Sequence, residues 1–229
     1  MTTITERLKS AINTIALTQT KFNIDHHTVQ LLAVSKTKPI GDIEQAIAQG
    51  QRAFGENYVQ EGVDKIQFFN NPSLDWHFIG PLQSNKTKLV AENFDWIHTI
   101  DRLKIAKRLH DQRPSSMAAL NICIQINISG EENKSGITPT QLPLLAKQIS
   151  QLDHLCLRGI MTIGHKSNDS GLIENEFSQM SQLFENLKQE FATVDTLSMG
   201  MSSDLELAIK NGSTMVRIGS AIFGQRAPK

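Results

Sequence analysis

The feature that most limits what this chain can become is an alternation. Eight times, a short apolar run with strand character is followed by a stretch with helical spacing or, at the last, by the chain's end. "VQLLAVSK" precedes "PIGDIEQAIAQG", "RAFGEN" precedes a helical stretch through Val59, Val63 and Ile66, "LDWHFIG" precedes "SNKTKLVAE", and "FDWIHTI" precedes "DRLKIAKRLHDQ". The second half repeats the scheme with "LNICIQINIS", "LCLRGIMTIG", "TLSMG" and "TMVRIGS" as strands. Strands joined through helices pair in parallel, and eight such units are the number that closes a ring. The expected fold is therefore α/β: a single (β/α)8 TIM barrel forming one domain over residues 1–229, with an extra helix at about residues 3–20. A doubly wound open sheet is the alternative, but its glycine fingerprint is missing from the first strand-helix turn.

Local patterns refine the expectation. In the fifth strand Ile122, Ile124, Ile126 and Ile128 share one face, while Cys123, Gln125 and Asn127 share the other. The helix from about Leu172 to Phe191 carries Ile173, Phe177, Met180, Phe184 and Leu187 at helical spacing. Asp101 is placed to cap the helix after the fourth strand, and Ser203 with Glu206 reads as a capping box after the seventh.

Charge narrows the choice of partner. Lys plus Arg and Asp plus Glu stand at 23 each, so no net charge draws the chain to nucleic acid, an acidic polymer or a membrane surface. The basic helix stripe of Arg102, Lys104, Lys107 and Arg108 lacks interleaved aromatics and reads as a solvated outer face. Cys123 and Cys156 lie in apolar runs rather than at metal-ligand spacing, and His26 and His27 lack a further ligand, so no metal site is expected. Buried thiols, no signal-peptide pattern and no apolar stretch of about 18 residues together point to a soluble cytoplasmic protein.

In such a barrel the loops after the strands line one mouth, and chemistry belongs there. Lys36 closes the first strand, Asn57 follows the second, His77 lies near the end of the third and Asn127 ends the fifth. In "SMGMSSD", Gly200 permits a sharp turn, and Ser202 sits beside backbone donors suited to a phosphate. Arg217 is an always-charged residue inside the apolar run "MVRIGS", so a partner must be supplied, either a carboxylate or a ligand. Gly219 and Ser220 follow with further donors, and phosphate sites in barrels are commonly built from the last two loops. A site that half-buries Lys36 among neutral or cationic neighbours would lower its pKa and free the amine as a nucleophile; the alternative is a solvated lysine at a strand end. Lys36, an arginine and a phosphate cradle could together hold pyridoxal phosphate, its aldehyde in a Schiff base to Lys36. Lys38, beside Pro39, better fits a solvated lysine.

Six ordered motifs carry a family resemblance: "LLAVSKTKP", "FGENYVQE", "WHFIGPLQSNK", "INISGEENKSG", "LRGIMTIG" and "LSMGMSSDLELAIKNGSTMVRIGSAIFG". Together, from about residue 28 to residue 224, they resemble the pyridoxal phosphate homeostasis protein family, also described as YggS/PROSC-like or alanine racemase N-terminal-domain-like. The resemblance implies pyridoxal 5′-phosphate as cofactor on Lys36, with contacts from Asn57, Met201, Ser202, Arg217, Gly219 and Ser220. It also implies a regulator of intracellular pyridoxal phosphate supply, with no established turnover and with PLP-dependent apo-enzymes as possible recipients.

The competing expectation is a PLP-dependent amino-acid racemase. Racemisation needs a base on each face of the substrate, and Lys36 supplies one. Tyr58, the only tyrosine, is expected to be a packed or hydrogen-bonded residue, and the chain ends at Lys229 without room for the racemases' second domain. An open mouth favours exchange of the cofactor, in a monomer. The loop "EENKSG" either covers the cofactor or meets a partner.

Overall fold

The computed structural model describes residues 2–25, 29–165, 167 and 169–225, and His26 and His27 lie outside them. A first helix, α1 (Ile4–Lys21), opens with a capping box: Thr3 accepts from the Glu6 N–H, and the Glu6 side chain accepts from the Thr3 N–H. The barrel follows as β1 (Gln30–Val34), α2 (Ile40–Ala48), β2 (Ala53–Glu56), α3 (Val59–Phe69), β3 (Asp75–Phe78), α4 (Thr87–Asn93), β4 (Trp96–Ile100) and α5 (Leu103–Gln112). Its second half is β5 (Leu120–Ile126), α6 (Leu142–Ile149), β6 (Leu155–Thr162), α7 (Ser170–Glu190), β7 (Thr196–Ser198), α8 (Leu205–Lys210), β8 (Met215–Ile218) and α9 (Ser220–Phe223). All neighbouring strands are parallel, and β8 pairs back onto β1 with Leu32 opposite Arg217, so the ring is closed.

The two faces of each strand bury against different partners. Ile122, Ile124 and Ile126 point outward into the main core shared with the helices, whereas Cys123 packs inside the ring with Trp96 and Met161. A second inner cluster joins Leu32, Ala53 and Met215. Each buried branched side chain contributes about 1.5–3 kcal/mol, which is why the strands read as nearly unbroken apolar runs. Along α7, Ile173, Phe177, Met180, Phe184 and Leu187 are buried as their spacing requires.

Several expectations need correction. The Asp101 side chain caps no helix: α5 has Arg102 at its cap position, and the two-residue turn after Ile100 leaves Asp101 one place early, paired with Arg102 at 3.7 Å. The Ser203–Glu206 capping box does not form either. Asp204 takes the cap position of α8, its carboxylate accepts the Met201 N–H at 2.5 Å, and Glu206 is drawn outward to Lys21. Ile128 lies beyond β5, because the Asn127 N–H turns aside to the Ile137 carbonyl. Cys123 is fully buried, but Cys156 is only partly so.

Candidate functional site

Lys36 sits two residues past the end of β1, half-buried, on a turn that is held from behind. Thr37 adopts φ +63°, a left-handed conformation that costs a β-branched residue about 1–3 kcal/mol and persists only where neighbours enforce it. The enforcing groups are visible. The Thr37 N–H donates to Glu61 Oε1 at 2.5 Å, and the buried Lys65 ammonium donates to the Ser35 carbonyl at 2.8 Å, to Glu56 Oε1 at 2.8 Å and to Glu61 Oε1 at 2.6 Å. The Ser35 hydroxyl donates to the same Glu56 oxygen at 2.6 Å. Burial pushes the Glu56 carboxyl up, against the opposing pull of Lys65. This clamp was not singled out from the sequence, although Glu56 inside the apolar run "RAFGEN" signals that a cation must meet it.

Arg217 is anchored differently. It projects from β8 into the ring, where Nη1 donates to the Ser198 carbonyl at 2.8 Å and to Ser198 Oγ at 2.9 Å, and Nη2 donates to the Thr162 carbonyl at 2.8 Å. No carboxylate among the described residues pairs with it, and its Nε–H donates to none of them. Desolvation brings its pKa down to about 10, with the Asp204 carboxylate acting in the opposite sense. Such a cation retains an unbalanced field that an anion entering the mouth would feel.

The residues singled out from the sequence meet around one cavity of about 420 Å³ at the C-terminal ends of the strands. Lys36 and Asn57 line one side and Met201 with Ser202 another, while Arg217, Gly219 and Ser220 complete it. Gly200, at φ +95°, makes the turn before Met201, and a Cβ there would lie 2.4 Å from the Ala208 Cβ. Gly80 lets the loop after β3 lie against the Asn57 backbone, since a Cβ would stand 2.1 Å from the Asn57 carbonyl oxygen.

Other candidates are placed elsewhere. His77 does not reach the mouth; it is fully buried in the ring, stacked on Trp96 with centroids 5.0 Å apart. Tyr58 is 53% exposed, not packed, and is not a wall of the cavity. Lys38 is not a solvated lysine: it donates to the Gly224 carbonyl at 2.9 Å and the Gln225 carbonyl at 3.1 Å, and it lines the cavity. Asn127 and Lys134 line a smaller adjoining cavity, and Lys134 pairs with Glu131 across their loop. Of the basic stripe, Arg102, Lys104 and Lys107 are exposed, while Arg108 is half-buried and donates to Thr87 Oγ1 at 3.2 Å.

The site's chemistry can be tested against the cofactor expected from the sequence. The volume falls within the roughly 300–1,000 Å³ usual for small-molecule sites. The backbone N–H groups of Ser202, Ser203 and Ser220 donate to no described residue, and three serine hydroxyls stand beside them, a donor set suited to a phosphate. The buried Asn57 Oδ1 has no partner among the described residues, leaving an acceptor available at the wall. A primary amine, a guanidinium with no carboxylate bonded to it among the described residues and anion donors around one cavity fit pyridoxal phosphate.

Comparison with known proteins gives concordant results. Residues 13–227 match the family described as alanine racemase, N-terminal domain. A pyridoxal phosphate homeostasis protein from Pasteurella multocida is 59% identical over 223 residues, covering 92% of this chain and 96% of that one. Its namesake from Escherichia coli strain K12 is 52% identical over 229 residues, covering 99% and 98%. PipY of Synechococcus elongatus, solved with PLP bound, superposes with a TM-score of 0.81 at 36% identity over 96% of this chain and 100% of that one. Alanine racemase from Corynebacterium glutamicum, at 14% identity and a TM-score of 0.70 over 95% of this chain and 62% of that one, shares the fold.

Proposed function

The chain belongs to the pyridoxal phosphate homeostasis protein family, built on the alanine racemase N-terminal domain, and from that premise we propose that it holds PLP reversibly on Lys36 to regulate the intracellular supply. One observation carries the reading: Lys36, Asn57, Met201, Ser202, Arg217, Gly219 and Ser220 surround a single cavity that opens at the mouth. When bound, PLP supplies an aldehyde that condenses with an amine, releasing one water, and the reverse reaction with water frees it again.

The chain's own residues define how it is held. The turn locked by Glu61 and Lys65 presents the Lys36 amine, while Ser202, Gly219 and Ser220 supply donors to the phosphate. Arg217 provides the positive field facing the ring or phosphate, and Asn57 and Met201 border the ring. The whole chain acts as one cofactor-binding domain, as a cytoplasmic monomer that passes PLP to PLP-dependent apo-enzymes. Among the described residues no helix is long and apolar enough to cross a membrane.

The competing racemase reading requires a second base facing Lys36 across the substrate. Tyr58 is exposed and outside the cavity wall, so this chain offers no tyrosine for that role. The test is borohydride reduction of PLP-loaded protein followed by peptide mass spectrometry. A reduced phosphopyridoxyl adduct on Lys36, absent from Lys36→Ala, is expected; an adduct confined to another lysine overturns the assignment. Incubation of the loaded protein with L- and D-alanine in deuterated water should give no appreciable Cα deuteration, and sustained turnover would establish an enzyme instead.

A further inference from the structure

Beneath the cavity lies a column of buried polar side chains on three inward strand faces that the proposed PLP site does not use directly. From Arg217 the contacts run to Ser198 Oγ at 2.9 Å, from there to His98 Nδ1 at 3.1 Å, and from His98 Nε2 to His77 Nδ1 at 2.9 Å. The column ends at His77 Nε2, buried with no partner among the described residues. Burial lowers His77 to about 3 and keeps His98 well below 6.5, so both imidazoles are neutral at physiological pH and each carries one N–H.

Proton positions then follow from one end. The guanidinium only donates, so Ser198 Oγ accepts its hydrogen bond and must direct its own hydroxyl proton elsewhere. The acceptor in reach is His98 Nδ1. His98 therefore carries its proton on Nε2 and donates to His77 Nδ1, and His77 is left with Nε2–H as the terminal donor. Every group in the column turns its lone pair toward Arg217 and its proton away. Aligned hydrogen bonds of this kind polarise one another, and their acceptor end stabilises a cation without bringing a formal negative charge beside it.

We propose that Ser198, His98 and His77 are positioning residues of the cofactor site, a neutral oriented column that fixes the Arg217 guanidinium without placing a carboxylate against it, leaving its charge available to the phosphate or ring of PLP. The inference rests on the proposed PLP-binding function. A carboxylate at position 98 or 198 would hold the arginine as well but would cancel the field that the ligand uses. Filling the ring with apolar side chains would leave the guanidinium short of an acceptor.

The experiment follows the release of PLP from loaded wild-type protein and from Ser198→Ala, His98→Leu and His98→Asn, by loss of visible absorbance after dilution into a PLP scavenger. Asn in place of His98 keeps an acceptor for the Ser198 hydroxyl; Leu removes it. Release should quicken about threefold to tenfold in His98→Leu and Ser198→Ala, the change expected for loss of one net hydrogen bond, with His98→Asn staying within about twofold of wild type. Thermal melting of the unloaded proteins is recorded alongside, since a purely structural role would lower melting of both His98 variants alike without separating their release rates. Wild-type release from Ser198→Ala overturns the proposal, as does release from His98→Asn as fast as from His98→Leu. If His98→Leu does not fold, Ser198→Ala decides alone. Wild-type protein that retains no PLP would instead overturn the PLP-binding function itself, and the column's role with it.

Discussion

Two cations are buried to the same depth in this barrel, Lys65 at 4% exposure and Arg217 at 6%, and their surroundings are opposite. Lys65, on the outer side of β1 and β2, is met by Glu56, Glu61 and the Ser35 carbonyl, so its charge is answered where it stands. Arg217, on the inner side, is met by two backbone carbonyls and a serine, all neutral. The first arrangement fixes a turn; the second leaves a field directed at the cavity. Lys36 lies where the two meet, held from behind by the clamp and facing the cavity that Arg217 lines. Burial of a charge is therefore a poor guide to function until its counter-groups are known.

The sharpest way to break this contrast is to remove each cation in turn. Lys65→Met strands two carboxylates and should destabilise the unloaded protein by about 3–5 kcal/mol in denaturant titration, whereas a loss under about 1 kcal/mol would show that the clamp holds little. Acid should act next. His77 is held at about 3 and His98 well below its unfolded value, so the unfolded chain binds more protons as pH drops below about 6.5, and stability falls, for His77 down to about pH 3. The slope approaches about 1.4 kcal/mol per pH unit for each histidine. His77→Leu should flatten this limb in melts taken from pH 7 to pH 4. Glu56→Gln should not: its raised carboxyl contributes with the reverse sign, an advantage present at low pH and lost as pH rises through the folded value.

Arg217→Met should weaken PLP binding tenfold or more, about 1.4 kcal/mol, while changing the unloaded protein's stability less than Lys65→Met does. Equal destabilisation by the two substitutions would erase the distinction drawn between them. The smallest effect belongs to Thr37→Gly, which relieves the left-handed strain at the cost of backbone entropy and should raise stability by under about 1 kcal/mol, measured by the same titration.

How much of this was legible in the sequence depended on whether a signal was local. Alternating strand and helix patterns carry the closed ring, and Lys36, Arg217 and Gly219 stood out because a charge or glycine at a strand end is visible within a few residues, as is the serine run that holds Ser202. The acceptors of Arg217 were not visible. Thr162 and Ser198 lie 55 and 19 positions away in the chain and are brought together only by closure of β6, β7 and β8. A hint did exist: Ser198, His98 and His77 each place a polar group inside an otherwise apolar strand, on the side facing the ring. The misplaced caps at Asp101 and Ser203 have another origin, since two or three adjacent polar residues compete for each cap and the turn geometry chooses among them.

Lys38 ties the carbonyls of Gly224 and Gln225 to the segment two residues beyond Lys36. The segment after α9 is thus mechanically linked to the loop bearing Lys36. Load applied to that segment would be felt at the cavity wall, so preparations meant to report cofactor retention are better tagged ahead of α1.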